Sequence, residues 1–252
     1  MPGTYPQPST VTCHLQGILR MKHLSHRIRL AFWILLKRHR FSLWRSIWFN
    51  LRYLPFRQAI HLPILLAPNV YVRICKRGSF VFLSGAKFGI VQIGYIDNNG
   101  NPDQASSLNI QGMVIIHGTG MHAFGGGLRL KVHPGAVFEI GNKSAVSNEA
   151  RINVAEHVII GDNNMWSYEV NIMDTDSHKI YDSTRCRINP PQPVHIGNNV
   201  WIGSKCTILK GVTLADGIIV AANSTITKSF TEPHCIITTG NKVIKRDVSW
   251  ER

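Results

Sequence analysis

The chain has 252 residues, with 28 Lys and Arg against 14 Asp and Glu, for a net charge of +14; this length suits one large domain, or one domain with an appendage. The charge is unevenly placed: the first carboxylate is Asp97, so residues 1–96 hold 14 basic groups and no acidic one, while the other 14 basic groups are matched by 14 acidic ones. Five scattered cysteines, Cys13, Cys75, Cys186, Cys206 and Cys235, form no C-x-x-C pair of the zinc or redox kind, and no apolar run approaches the roughly 18 to 20 residues that span a bilayer.

Residues 1–14, with three prolines and no hydrophobic periodicity, read as a disordered tail. Residues 15–61 interleave Arg, Lys and His with Leu, Ile, Trp and Phe, and predict a basic amphipathic helical segment that Pro55 interrupts. Its composition suits contact with an anionic membrane surface. The alternative is that Trp33, Trp44, Trp48 and Phe49 pack on the main domain or a sister subunit. Without a spanning segment or a cleavage site after Leu30–Leu36, and with thiols that suit a reducing compartment, the expected location is the cytoplasm, peripheral to the inner face of the cytoplasmic membrane.

From residue 62 to 247 the pattern is a repeat of six. Ile196, Ile202, Ile208, Leu214, Val220 and Ile226 stand six apart, and Ile160, Trp166 and Ile172 fall in the same register. An earlier stretch runs Ile110, Ile116, His122, Leu128, Pro134, Ile140, Val146 and Ile152, with weaker echoes at Ile74 and Phe80. A helix repeats near 3.6 residues and a lone strand near 2. A sustained six fits neither, and predicts an all-β solenoid whose aliphatic residues point inward and whose small following residues allow tight corners. Inserted loops are expected near 93–108 and 178–195.

The run from Ile196 to Lys228, opening Ile-Gly-Asn-Asn-Val-Trp-Ile-Gly-Ser and closing Ala-Ala-Asn-Ser-Thr-Ile-Thr-Lys, resembles the last coils of the hexapeptide-repeat acyltransferases. The stretch Met173-Asp-Thr-Asp-Ser-His-Lys-Ile-Tyr-Asp182 and the segment Asn50–Pro63 are similar to the O-acetyltransferases of capsule and lipopolysaccharide assembly. The resemblance implies a left-handed parallel β-helix preceded by a basic helical segment, a homotrimer, and acetyl-CoA as acyl donor in the cleft between subunits. It further implies transfer of acetyl to a hydroxyl of a sugar or polysaccharide in a ternary complex, with no metal.

His178 is the expected general base, because an alcohol attacks a thioester only as its proton is removed and imidazole suits that task near neutral pH. It stands one period after Ile172, where an inward aliphatic residue is otherwise expected. Asp176 is expected to orient the imidazole and Asp174 to bind sugar hydroxyls, although either is also an ordinary turn residue. By motif match the CoA contacts fall at Trp201, Ser204, Ala222, Thr227, Lys228, Lys242 and Lys245. Three features depart from the family pattern: Asn223 replaces a glycine, Gly240 replaces a proline, and Lys242 and Lys245 replace arginines, which costs bidentate pairing with phosphate.

Two other readings compete. His117-Gly-Thr-Gly-Met-His122 has the His-x4-His spacing of the γ-type carbonic anhydrases, zinc enzymes that share the solenoid, but no histidine lies between His61 and His117 to complete three ligands. A non-catalytic scaffold in a glycan-synthesis complex is the second. Nucleic acid is not an expected partner, since the basic segment contains no recognised binding module.

Overall fold

The computed structural model describes residues 41–95 and 104–251. The expected tail at 1–14, the first part of the basic segment and residues 96–103 of the loop expected near 93–108 lie outside them. Among the described residues the strands form three sheets of nine, seven and six strands, here called faces A, B and C. Every pairing along them is parallel except the last, and successive strands visit A, B and C in turn, so three strands make one coil.

The hexad dictates this geometry. Ile196 pairs with Leu214, Ile202 with Val220 and Ile208 with Ile226, so one coil is three hexads. All six side chains are buried in the prism, each Leu or Ile stabilising the stack by about 1.5–3 kcal/mol.

Earlier coils are longer. Leu130 pairs with Ile152 and Ile152 with Ile172, and neither step is a whole number of hexads. The hexad read through Pro134 therefore fails locally. Pro134 is exposed and Val132 takes the interior place. Ile74 also points outward, at a bulge, while Phe80 is buried. Ile160 pairs directly with Ile196, so the chain between them is one coil plus an excursion of a coil's length. The unbroken count of sixes across it is a coincidence of lengths.

At the corner between faces C and A the turns are locked by side chains. Asn142, Asp162, Asn198 and Asp216 each accept, through Oδ1, a backbone N–H from the turn one coil earlier, at 2.7, 2.7, 2.8 and 2.7 Å. The next residue in each turn, Lys143, Asn163, Asn199 or Gly217, has φ between 53° and 68°. Stacking is so close that a Cβ on Gly161 would lie 2.6 Å from Asn198 Oδ1. Asn223 likewise adopts φ 63° at the A–B corner, where Lys205 and Glu169 do the same one and two coils before.

Two short helices precede the stack, α1 (Leu43–Tyr53) and α2 (Phe56–Ala59), separated by Leu54 and Pro55. Phe49 is buried against Phe80, ring centroids 5.8 Å apart. The buried polar residues of α1 satisfy the first strand, Ile64–Leu66: Asn50 Nδ2 donates to Ile64 O at 2.7 Å, and Asn50 Oδ1 and Ser46 Oγ accept from the N–H groups of Ile64 and Leu66. At the other end Lys242–Lys245 turns back antiparallel on Ile236–Thr238. None of the helices among the described residues is long and apolar enough to cross a membrane.

Candidate active site

The excursion leaves face B after Asn171–Met173 and rejoins at Val194–Ile196 on face C. Asp174 anchors its start. Its carboxylate is fully buried, Oδ1 and Oδ2 accepting from Ala155 N and Glu156 N, each at 2.7 Å. This corrects the expectation of a sugar contact, because no part of the side chain reaches the surface. Beyond it Thr175 is buried, Ser177 turns at φ 65°, and His178 N donates to Asp176 O at 2.7 Å. The His178 side chain is exposed.

Asn189 ties the two limbs of the excursion together. Its Nδ2 donates to Asp176 Oδ2 at 2.9 Å and His178 O at 2.8 Å, and its Oδ1 accepts from Ile180 N at 2.6 Å. Lys210 Nζ, from the next coil, also donates to Asp176 Oδ2. These two donors, Lys210 first, hold the Asp176 carboxyl below the usual carboxylate range. The hydrogen-bond partners of that carboxylate are Lys210 and Asn189, not the imidazole, so Asp176 fixes the main chain beside His178 rather than the ring. Neither Asn189 nor Lys210 was expected, yet Lys210 had a signal: it stands one coil before Lys228, at the same place in the repeat.

His178 therefore sits at the B–C edge. Thr227 and Lys228 lie on the same edge two coils on, where Asn241 Oδ1 accepts from both their N–H groups at 2.9 and 3.2 Å. The other CoA candidates lie elsewhere. Trp201 is on face A, Ser204 and Ala222 stack at the A–B corner, and Lys242 and Lys245 are exposed on the antiparallel strand that ends face A. Trp201 donates through Nε1 to Ser167 Oγ at 3.3 Å and stands 6.2 Å, ring to ring, from Trp250. Trp250 lines a hollow of about 410 Å³ with Lys143, Asn163, Asn199 and His234.

The zinc reading has no geometric footing. His122 is fully buried in the prism, while half-buried His117 on the surface lies 2.6 Å from Glu139 Oε1. Among the described residues no group of three His, Cys, Asp or Glu side chains is arranged to hold a metal.

Comparison with known proteins defines the class. A family model described as bacterial transferase hexapeptide (six repeats) matches residues 193–228. The chain is 30% identical over 131 residues to the "Putative lipopolysaccharide biosynthesis O-acetyl transferase WbbJ" of Escherichia coli (strain K12), over 48% of this chain and 67% of that protein. It is 52% identical over 59 residues to the "Probable macrolide acetyltransferase" of Lysinibacillus sphaericus, and there it spans only 32% of the relative and 23% of itself. The solved structure of the "polySia specific acetyltransferase NeuO" shares the fold, with a TM-score of 0.50 at 20% identity over 75% of this chain and 89% of that one. The chain belongs to the hexapeptide-repeat acyltransferases, and its three-faced stack is their left-handed parallel β-helix.

Proposed function

We propose that this protein transfers the acetyl group of acetyl-CoA to a hydroxyl of a cell-surface polysaccharide or its sugar precursor, with His178 as general base. The observation that carries this reading is the excursion itself: an otherwise regular stack interrupts its coil to present an exposed imidazole on a main chain clamped by Asn189 and Asp176. His178 takes the acceptor hydroxyl proton as its oxygen attacks the thioester carbonyl, and the tetrahedral intermediate expels the CoA thiolate, which receives that proton. No covalent acyl-enzyme is formed.

The same reading asks for more than one copy. Trp201, Ser204 and Ala222 lie on face A and the A–B corner, and His178 on the B–C edge, so a cleft using both sets is formed between neighbouring subunits of a homotrimer. Membrane contact at the inner face of the cytoplasmic membrane is proposed through α1 and α2, whose Trp44, Trp48, Leu51 and Phe56 are exposed beside Arg52 and Arg57.

Release of CoA thiol by the purified protein, with a panel of glycans, tests the reaction. His178→Ala is expected to lower turnover by about 10²–10⁴-fold while acetyl-CoA binding and the melting temperature stay near wild type. Near-normal turnover in that variant removes His178 from the mechanism. Failure of the wild type both to bind acetyl-CoA and to turn over any glycan favours the scaffold.

A further inference from the structure

Face B carries on its outer side a row of positive charge that the acyl-transfer step does not use. Arg129 and Arg151 are register partners on adjacent strands, and Lys131, two residues after Arg129, pairs with Asn153. Neighbouring strands lie about 4.8 Å apart, so the two arginines leave the sheet side by side with like charge, an arrangement that destabilises a sheet on its own account. Arg73 joins from the first coil, and Lys76 and Arg77 from the corner after it. All six are exposed, and among the described residues none is in an ion pair. The outward positions of the face are otherwise Ser107, Asn109, Asn153, Asn171 and similar uncharged residues; Glu149 and Glu156 flank it from the turns on either side of Arg151–Val154.

The row has two defined ends. Lys76 and Arg77 open on a hollow of about 390 Å³ that Ser79 also lines, and the Ser79 hydroxyl is buried without a hydrogen-bond partner. At the other end His133 Nε2 lies 3.1 Å from Asn153 Oδ1, and Asn153 Nδ2 donates at 3.1 Å to Ser177 Oγ, on the residue before His178. Four strand spacings of face B, about 19 Å, separate the first coil from the excursion.

We propose that this row is an acceptor track, and that the acceptor is an extended acidic polysaccharide laid across face B with one hydroxyl at His178. The role of His178 in this rests on the transferase reading; the binding does not. Unpaired arginines match carboxylates in a planar fork, and the length of the track calls for several sugar units rather than one. A nucleic acid has the same charge but no reason to end at a hydroxyl-activating base.

The test compares binding of an oligogalacturonate ten units long with that of a neutral maltodecaose, using the full chain and the variant Arg129→Gln/Lys131→Gln/Arg151→Gln. The full chain is expected to bind the acidic oligomer alone, more weakly as salt rises, and the variant about tenfold or more weakly still, with acetyl-CoA binding and circular dichroism unchanged. Equal binding by the variant, equal binding of the neutral oligomer, or no binding of the acidic one overturns the track. Equal affinity for a single-stranded oligonucleotide of the same charge overturns the assignment to a glycan. Binding without turnover on any acceptor sinks the transferase and leaves the track; acetylation of neutral acceptors alone does the reverse.

Discussion

His122 is the residue whose chemistry least suits its place. Its ring is fully buried, and neither nitrogen has a hydrogen-bond partner of normal geometry. Burial pushes its pKa below the ordinary histidine value. The unfolded chain takes up a proton below about pH 6.5, where the folded chain still refuses it, so the unfolded state binds more protons and stability falls as pH drops from there to the depressed folded value. Replacing the ring by an apolar group of similar size removes both effects. His122→Leu is expected to stabilise the fold by about 1 kcal/mol near pH 7 and by more at pH 5.5, measured by urea unfolding; a larger gain at pH 8 than at pH 5.5 contradicts the argument. The hexad placed this side chain inward correctly, as it did Ile196 to Ile226. It misplaced Pro134 because coils that are not whole multiples of the hexad slip against a count of six.

The excursion depends on contacts from coils on both sides. Asp174 accepts from the N–H groups of Ala155 and Glu156 one coil earlier, and bonds to a buried charge contribute about 1.5–3 kcal/mol each. Asp174→Ala is expected to destabilise the whole fold by about 3 kcal/mol, seen as a lower denaturant midpoint. Asn189→Ala should act differently, because its three bonds lie within the excursion. Hydrogen exchange at residues 176–190 is expected to quicken and turnover to fall about tenfold or more, with the midpoint nearly unchanged; an intact exchange pattern speaks against the clamp. The motif made His178 legible in the sequence. Which aspartate faces inward was not, since that is decided by the free N–H groups of a turn in the preceding coil, remote in the chain.

At the scale of the molecule, residues proposed to meet acetyl-CoA and the residue proposed to take the proton occupy different edges of one prism. Mixed oligomers test whether they meet across subunits. His178→Ala and Trp201→Ala chains, each inactive alone, are expected to recover measurable thiol release when co-expressed, because some clefts then contain both intact residues. Recovery absent from assemblies shown to be mixed places the site within one chain. The repeat announced the stack but not this division, because a period of six says which residues point inward and nothing about which edge each corner joins.

The terminations of the stack have a consequence of their own. Parallel coils can be added without limit, since each new coil offers the same open strand edges as the one before it, which is how fibres grow. Here Asn50 and Ser46 occupy the backbone groups of Ile64 and Leu66 that a further coil would take, and Lys242–Lys245 runs the wrong way to be continued. A chain shortened to begin at Leu62 opens that end alone and is therefore expected to sediment as particles paired through it, while one that keeps α1 stays unpaired; polymers are expected only when Lys242–Lys245 is removed as well. The amide of Asn50 thus acts as a stop signal, setting the number of coils and with it the finite size of the particle.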